Sequence, residues 1–420
     1  MQSLISSKVK NKEIYLGYLL IYLLFIITMP DAGPGGFDRI CFTSWANYIY
    51  ANGLQNIYKF GIDYLPLYHY FLYLYGKIQG SPENIIININ SLKYITALFD
   101  ILGAIYVFKL TKKLYISSKS AFLASLLLLL NVAYLYNNLF YGQVDGIYTC
   151  MLFMAFYYAF EKKIGLSILL MLLSINFKLQ AIIFLPLFGL MLLPEILEKI
   201  TLKNLSIWIV PSLVVQTLIL LPYTLAGDLP TLIFVIKNSM GKYPLVSMGA
   251  YNIWVWVLEN PSEILDKRGI WGRSYNRIGL LLFSITLLFT LWPLIKSLYE
   301  RIIKKANANQ INTEKILLMA SITPIIFFYF NTQMHSRYTH PAIIFSGAYT
   351  IYTRRPLVFI LISIACFLNV EGGIKIIKGD ILPYQYFFFQ PKFVSALFLT
   401  IIGILFYELY RKPKILNANN

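Results

Sequence analysis

Charge is scarce in this sequence. Only 13% of its 420 residues are Asp, Glu, Lys or Arg, about half the roughly one quarter found in a soluble domain. So little solvating surface excludes an ordinary water-soluble globule. Cysteine is scarce too. Cys41, Cys150 and Cys366 are widely spaced, and two of them lie inside apolar blocks, so neither a disulfide framework nor a metal spacing follows. A small-residue cleavage site is missing after the first apolar block, Ile14 to Pro30, which follows Lys8, Lys10 and Lys12 and precedes a polar stretch from Asp31. That block reads as an uncleaved signal anchor. No short repeat period and no low-complexity linker is present, so residues 1–420 read as a single integral membrane domain.

What is present points to lipid. Hydrophobic residues make up 58% of the chain, in blocks of about 17–22, long enough to cross a hydrocarbon core of about 30 Å. Many of the 33 Tyr and 30 Phe stand near block ends, where aromatic rings suit the headgroup region. Spans are expected near 14–30, 91–110, 121–138, 146–160, 164–178, 179–194, 205–226, 277–296, 316–330, 339–353, 357–369 and 393–410. The expected fold is all-α and polytopic, with about 11–13 transmembrane helices, some tilted or re-entrant. Outer loops are expected at about 31–90, 227–276 and 370–392, the second with a helix-like aromatic stretch at Tyr251–Leu258.

The net charge of +17 invites a nucleic-acid partner, but topology explains it better. With the N-terminus inside, Lys112-Lys113, Lys162-Lys163, the 296–315 loop, Arg354-Arg355 and Arg411-Lys412 all fall on the inner side. That is the positive-inside bias. The expected partner is a bilayer, with no nucleic acid. The orientation requires that Asp63–Lys77 not cross, and its polar ends and Pro66 suit an outer-surface or re-entrant helix.

Four polar clusters then fall at the outer ends of spans. They are Asp38-Arg39 with Trp45 and Asp63–Tyr68; Tyr141–Gly146; Asn176–Gln180; and Gln333–Pro341. Ionisable groups at membrane depth are costly and face a partner or a cavity. Each also has an ordinary reading. Asp38 alone could be a solvated loop acid, Asp145 a helix cap, and Lys178 a snorkelling cation. His335 and Arg337 could hold lipid phosphates loosely, and Asp100 could pair with a neighbouring helix.

In their order along the chain these motifs resemble the GT-C glycosyltransferases, polytopic enzymes that use polyprenyl-phosphate sugars. The similarity is greatest to prokaryotic relatives of the second mannosyltransferase of GPI-anchor synthesis. Those proteins carry an outer-loop Asp with a downstream Trp, then D-Y-P-P-L-Y, G-Q-x-D, K-P-Q and M-H-E-R-Y. The counterparts are Asp38 with Trp45, Asp63-Tyr64-Leu65-Pro66-Leu67-Tyr68, Gly142-Gln143-Val144-Asp145, Lys178-Leu179-Gln180 and Met334-His335-Ser336-Arg337-Tyr338. The series covers roughly residues 15–350. Leu65 and Leu179 replace Pro, and Ser336 replaces a Glu whose loss bears on donor or acceptor choice.

The resemblance implies transfer of a hexose, mannose by family, to an acceptor hydroxyl on a glycan, glycolipid or protein, with inversion. It implies a prokaryotic plasma membrane with the site facing outward, or the ER membrane in a eukaryote. Asp38 is implied as general base, with Asp63 and Asp145 as further catalytic candidates. Arg337, Lys178 and His335 would hold the donor phosphate. Trp45, Tyr64, Tyr68, Gln143, Gln180 and Tyr338 would line the substrate pocket. No cofactor is required by the sequence and no metal cage is legible, since a hard cation needs several oxygen ligands; dependence on a divalent cation stays open. Two rival readings remain. A transporter or flippase would explain Asp100 but predicts mid-depth sites and internal repeats. A polymerase or ligase of lipid-linked saccharide would use the basic residues Lys267, Arg268 and Arg273 of the large loop.

Overall fold

The structure, a computed structural model, describes residues 2–31, 36–62, 64–114, 118–239, 241–270, 272–304, 312–377 and 387–411. Helices dominate. Among the described residues the only sheet consists of two-residue strands, Ser247–Met248 parallel to Met334–His335, and Gly269–Ile270 antiparallel to Arg273–Ser274. All four arise from the 245–274 loop or the segment it touches, because long apolar runs close their backbone hydrogen bonds within themselves.

Among the described residues seven helices are long and apolar enough to cross a membrane: Ile89–Leu114, Leu179–Lys199, Leu202–Leu225, Tyr275–Ile302, Thr313–Phe330, Leu357–Ile374 and Pro391–Tyr410. An eighth crossing is formed if Ser118–Leu129 and Val132–Phe140, bent by 53°, count as one broken span. The chain is therefore read as an integral membrane protein. Among the described residues, length and composition alone support fewer crossings than the expected 11–13. Expected spans at 146–160, 164–178 and 339–353 fall on helices of 16, 14 and 13 residues, shorter than the roughly 20 residues a crossing needs. Two of them are lined almost throughout with buried residues and pack inside the bundle rather than against lipid. The expected 14–30 span is the apolar end of the Gln2–Ile27 helix.

Burial sorts the long helices. Thr313–Phe330 has 72% of its apolar window enclosed by protein, whereas Leu202–Leu225 has 11%, so the first is core and the second faces lipid. The main core is built from Thr313–Phe330, Pro341–Thr353, Asp145–Phe160 and the last two long helices, around Phe156, Phe184, Phe328, Phe345 and Phe398. A second core lies under Gly36–Asn52 and Pro66–Gln79, around Trp45, Ile49, Tyr68, Leu72 and Phe177. The Pro66–Gln79 helix is 14 residues long, about 21 Å, and is not among the helices able to cross. Pro66 starts it and Gly80 ends it, at φ 73, a left-handed value glycine adopts without strain.

The basic loops expected on one side meet at one end of the bundle. Lys113 pairs with Glu161 at 2.7 Å, Lys162 with Glu195 at 3.1 Å, and Arg355 with both Glu314 and Glu408 at 3.3 Å. The aromatic stretch expected at Tyr251–Leu258 is a single helical turn, Trp254–Val257. Of the expected 370–392 loop, residues 370–377 continue a helix and 378–386 lie outside the described residues.

Candidate functional site

At the other helix ends, four segments far apart in sequence bring their charges together. Asp38 stands in the first turn of Gly36–Asn52. Gly142, at φ 73, turns the chain so that Gln143 N–H donates to Asn137 O at 3.0 Å, and Asp145 then opens the Asp145–Phe160 helix. An acid there suits the positive end of the helix dipole. Lys178 follows the Ile164–Phe177 helix in an extended conformation, which ends the helix and sends the chain back. Arg337 belongs to the connection between Thr313–Phe330 and Pro341–Thr353.

These four form one network. Gln143 Nε2 donates to Asp38 Oδ2 at 2.6 Å. Arg337 lies between the two carboxylates, with Nη1 3.8 Å from Asp38 Oδ2 and Nε 3.7 Å from Asp145 Oδ2. Lys178 Nζ donates to Asp145 Oδ1, and Asn137 Nδ2 donates to Asp145 Oδ2 at 3.2 Å. Aromatic faces complete the enclosure: Arg337 lies 5.8 Å over Tyr141, and Lys178 is 5.6 Å from the Tyr148 ring and 5.9 Å from that of Tyr338. Two carboxylates and two cations balance locally. Their side chains differ in access, at 25% exposure for Asp38, 11% for Arg337, 8% for Lys178 and 2% for Asp145, so Asp38 is the member open to a ligand.

The ordinary readings of these residues are thereby decided. Lys178 does not snorkel; it is buried on Asp145. Asp145 makes no side-chain cap, because its oxygens face Lys178, Asn137 and Arg337. Arg337 is incompletely used. Both its carboxylate distances exceed the usual hydrogen-bond range, and its buried Nε has no hydrogen-bond partner. A buried N–H without an acceptor is costly, and an anionic ligand at this point would supply one.

Trp45, Tyr64 and Tyr68 form an aromatic wall beside Asp38. Trp45 and Tyr64 have ring centres 5.3 Å apart, Tyr64 and Tyr68 4.8 Å, and Phe42, one turn on from Asp38, lies 5.5 Å from Tyr68. Gln180 lies beside the Tyr338 side chain. His335 lies in the short strand, between Tyr243 at 5.5 Å and Tyr338 at 5.1 Å, near Arg337 and Lys178 without bonding either. Asp63 lies outside the described residues.

Sequence reasoning passed over a second layer. Residues Tyr136–Phe140 form a π-helical turn, a distortion common at functional sites, and it points two amides inward. Asn137 Nδ2 reaches His340 Nδ1 at 3.3 Å as well as Asp145, and Asn138 Nδ2 donates to Asp100 Oδ1 at 2.8 Å. His340 stacks on Tyr134 with ring centres 4.7 Å apart. Asp100 thus pairs with a neighbouring element, as its ordinary reading held. The paired Asn137-Asn138 just ahead of Gly142 was the available signal. Gly146 keeps this layer together, since a Cβ there would stand 2.4 Å from Asp100 Oδ1 and 2.7 Å from Asn138 Nδ2. Gly146→Ala is expected to cost about 1–3 kcal/mol through overpacking, read as a lower unfolding temperature of the purified protein; an unchanged temperature would contradict this packing.

All three histidines share one consequence of burial. Burial lowers His69 to about 3 and His340 to about 4, and burial with the Arg337 and Lys178 charges holds His335 well below the ordinary value. His69 and His340 are therefore neutral in the folded protein at pH 7 and at pH 5, while the unfolded chain takes up protons below about 6.5. Unfolding therefore binds protons, and stability is lost as pH falls from about 6.5 toward the folded values. At pH 5 the loss should be about 2 kcal/mol for each of the buried His69 and His340. Unfolding midpoints at pH 7 and 5 test this, and His340→Gln should reduce the difference; equal midpoints would contradict it.

No protein-family model matches this chain, and none of the curated proteins is significantly similar to it.

Proposed function

We propose that this protein is a GT-C-type membrane glycosyltransferase. It moves a hexose, by resemblance mannose, from a polyprenyl-phosphate sugar to an acceptor hydroxyl on the non-cytoplasmic side. One observation carries the reading: the part-exposed Asp38 stands 3.8 Å from Arg337, whose Nε lies buried without an acceptor, beside the ends of lipid-facing helices. Base and anion holder are thus adjacent, as transfer from a lipid phosphate requires.

In the reaction, the acceptor O–H gives its proton to Asp38 as its oxygen bonds the anomeric carbon from one face. The bond from that carbon to the phosphate oxygen breaks on the opposite face, and its electron pair leaves with the polyprenyl phosphate. Attack opposite the leaving group inverts the centre. Arg337 stabilises the charge growing on the phosphate, and its planar fork suits two phosphate oxygens. Asp145, itself held by Lys178, keeps Arg337 in place, Gln143 orients Asp38, and Tyr64, backed by Trp45 and Tyr68, offers a ring face to the sugar.

A carrier for a lipid-linked or small polar substrate is the second reading. Asp100, near the middle of the Ile89–Leu114 span and bonded to Asn138, favours it. The polymerase or ligase reading draws less support, because Lys267 and Arg268, just before the Gly269–Ile270 strand, and Arg273, in its partner strand, are exposed rather than in the charged network. Donor binding discriminates. Arg337→Ala is expected to weaken binding of a polyprenyl-phosphate sugar by about 10- to 100-fold, and Arg337→Lys by less, since the charge stays and the fork is lost. Unchanged affinity in both variants would remove Arg337 from the site.

A further inference from the structure

Asp38 also borders a cavity that Arg337, Lys178 and Asp145 do not line. This space of about 40 Å³ lies between the first turn of Gly36–Asn52, the start of the Leu92–Thr111 helix and the 141–144 turn. It has room for roughly three water molecules, or for the hydroxyl-bearing end of a small molecule. Its walls include Asp38, Arg39, Tyr68, Asn90, Lys93 and Thr96.

Three features show that these walls are built for a polar ligand. First, Tyr68 Oη and Asn90 Oδ1 are buried without a hydrogen-bond partner, although Tyr68 is only 1% exposed. Buried polar groups are normally satisfied, and an exception calls for a reason. Second, Lys93 is buried in the wall, and its Nζ donates to the carbonyls of Pro30 at 3.0 Å and Asp31 at 3.1 Å. An ammonium has three donors, so one N–H remains. Third, Lys93 feels the Asp31 carboxylate and, less strongly, the repulsion of Arg39, yet among the described residues no carboxylate comes within ion-pair distance of either cation. Two cations and two idle polar atoms around a carboxylate call for a ligand that is both hydroxylated and anionic.

We propose that this cavity is the acceptor subsite, and that the acceptor is a phosphate ester whose reacting hydroxyl lies close to its phosphate. The inference rests on the transferase reading. The hydroxyl faces Asp38 and the Tyr68 hydroxyl, and the phosphate meets Lys93 and Arg39. The proton passes to Asp38, the new bond forms from the acceptor oxygen to the anomeric carbon, and the bond to the polyprenyl phosphate breaks. A soluble polyol phosphate and a phospholipid headgroup present the same chemistry.

The test uses the full chain in phosphatidylcholine nanodiscs, with radiolabelled glycerol 3-phosphate and glycerol as probes. Glycerol 3-phosphate should bind and glycerol should not. Lys93→Met should weaken glycerol 3-phosphate binding by about 10-fold or more, and Tyr68→Phe by about 5-fold, the loss of one hydrogen bond in a buried site. Because the Tyr68 hydroxyl bonds nothing in the fold, Tyr68→Phe should keep the wild-type unfolding temperature, so it decides the matter even if Lys93→Met folds poorly. Equal binding by wild type and both variants, or equal binding of glycerol, overturns the subsite. With labelled donor added, sugar appearing on glycerol 3-phosphate identifies a soluble acceptor, and sugar on phosphatidylglycerol doped into the disc identifies a lipid one; either supports the proposal. Donor hydrolysis by water without Lys93-dependent binding sinks the subsite alone. Lys93-dependent binding with no sugar released from any donor sinks the transferase reading, and the acceptor role with it.

Discussion

Replacing Asp38 with Asn should reduce sugar transfer by about 10²- to 10⁴-fold, the range by which a positioned general base accelerates a reaction, and leave the fold intact. The isosteric amide keeps an oxygen that can still accept from Gln143 Nε2, the 2.6 Å bond that orients the wild-type carboxylate. Its side chain is a quarter exposed, so little packing is disturbed. What is lost is the proton acceptor and the negative charge beside Arg337. Donor binding should therefore hold or strengthen while turnover falls, a pattern that marks an interaction made in the transition state. Near-normal turnover by the well-folded variant would remove Asp38 from the chemistry.

Breaking the buried half of the network should instead strike stability. Lys178 and Asp145 are both enclosed, at 8% and 2% side-chain exposure. Lys178→Met leaves Asp145 with only the Arg337 charge, 3.7 Å away, and an Asn137 amide. Removing one partner of a buried ion pair typically costs about 3–5 kcal/mol, because the other charge is left unneutralised. Asp145→Asn should be damaging as well, since it leaves two cations close together. The double variant Lys178→Met/Asp145→Asn should lose less than the two single variants added, the excess being their coupling. Unfolding temperatures of the four proteins give the result. Full additivity would mean that the pair contributes nothing as a pair, and an unchanged Lys178→Met would contradict the burial itself.

These two outcomes divide a cluster that looked uniform as a sequence. Its membership was legible, because the polar residues Asp38, Gln143, Asp145, Lys178 and Arg337 interrupt apolar runs in which an idle charge is expensive. The division of labour was not. Whether Asp145 or Asp38 is the open carboxylate depends on which helix end covers which, and nothing local in Gly142–Gly146 states that the Ile164–Phe177 helix will bring Lys178 onto Asp145. The inner layer of Asn137, Asn138 and His340 was harder still. It depends on a π-helical turn, and a single extra residue in a helical turn leaves no periodic trace.

The fold was legible for a similar reason. Long runs such as Leu202–Leu225 announce themselves because lipid surrounds them on nearly all sides. Asp145–Phe160 and Pro341–Thr353 are equally apolar, yet they are short and covered by other helices, and hydropathy alone cannot separate a helix buried in protein from one buried in lipid. The two-residue strands joining Ser247–Met248 to Met334–His335 were invisible, as pairing so brief has no alternation to read.

The decisive measurement is incubation of the purified protein, in nanodiscs, with a panel of radiolabelled polyprenyl-phosphate hexoses, scoring sugar released to water or transferred to an acceptor. The network around Asp38 and Arg337 predicts turnover of at least one donor. Absence of turnover with every donor, by protein that is demonstrably folded, would contradict the transferase reading and leave the carrier in its place.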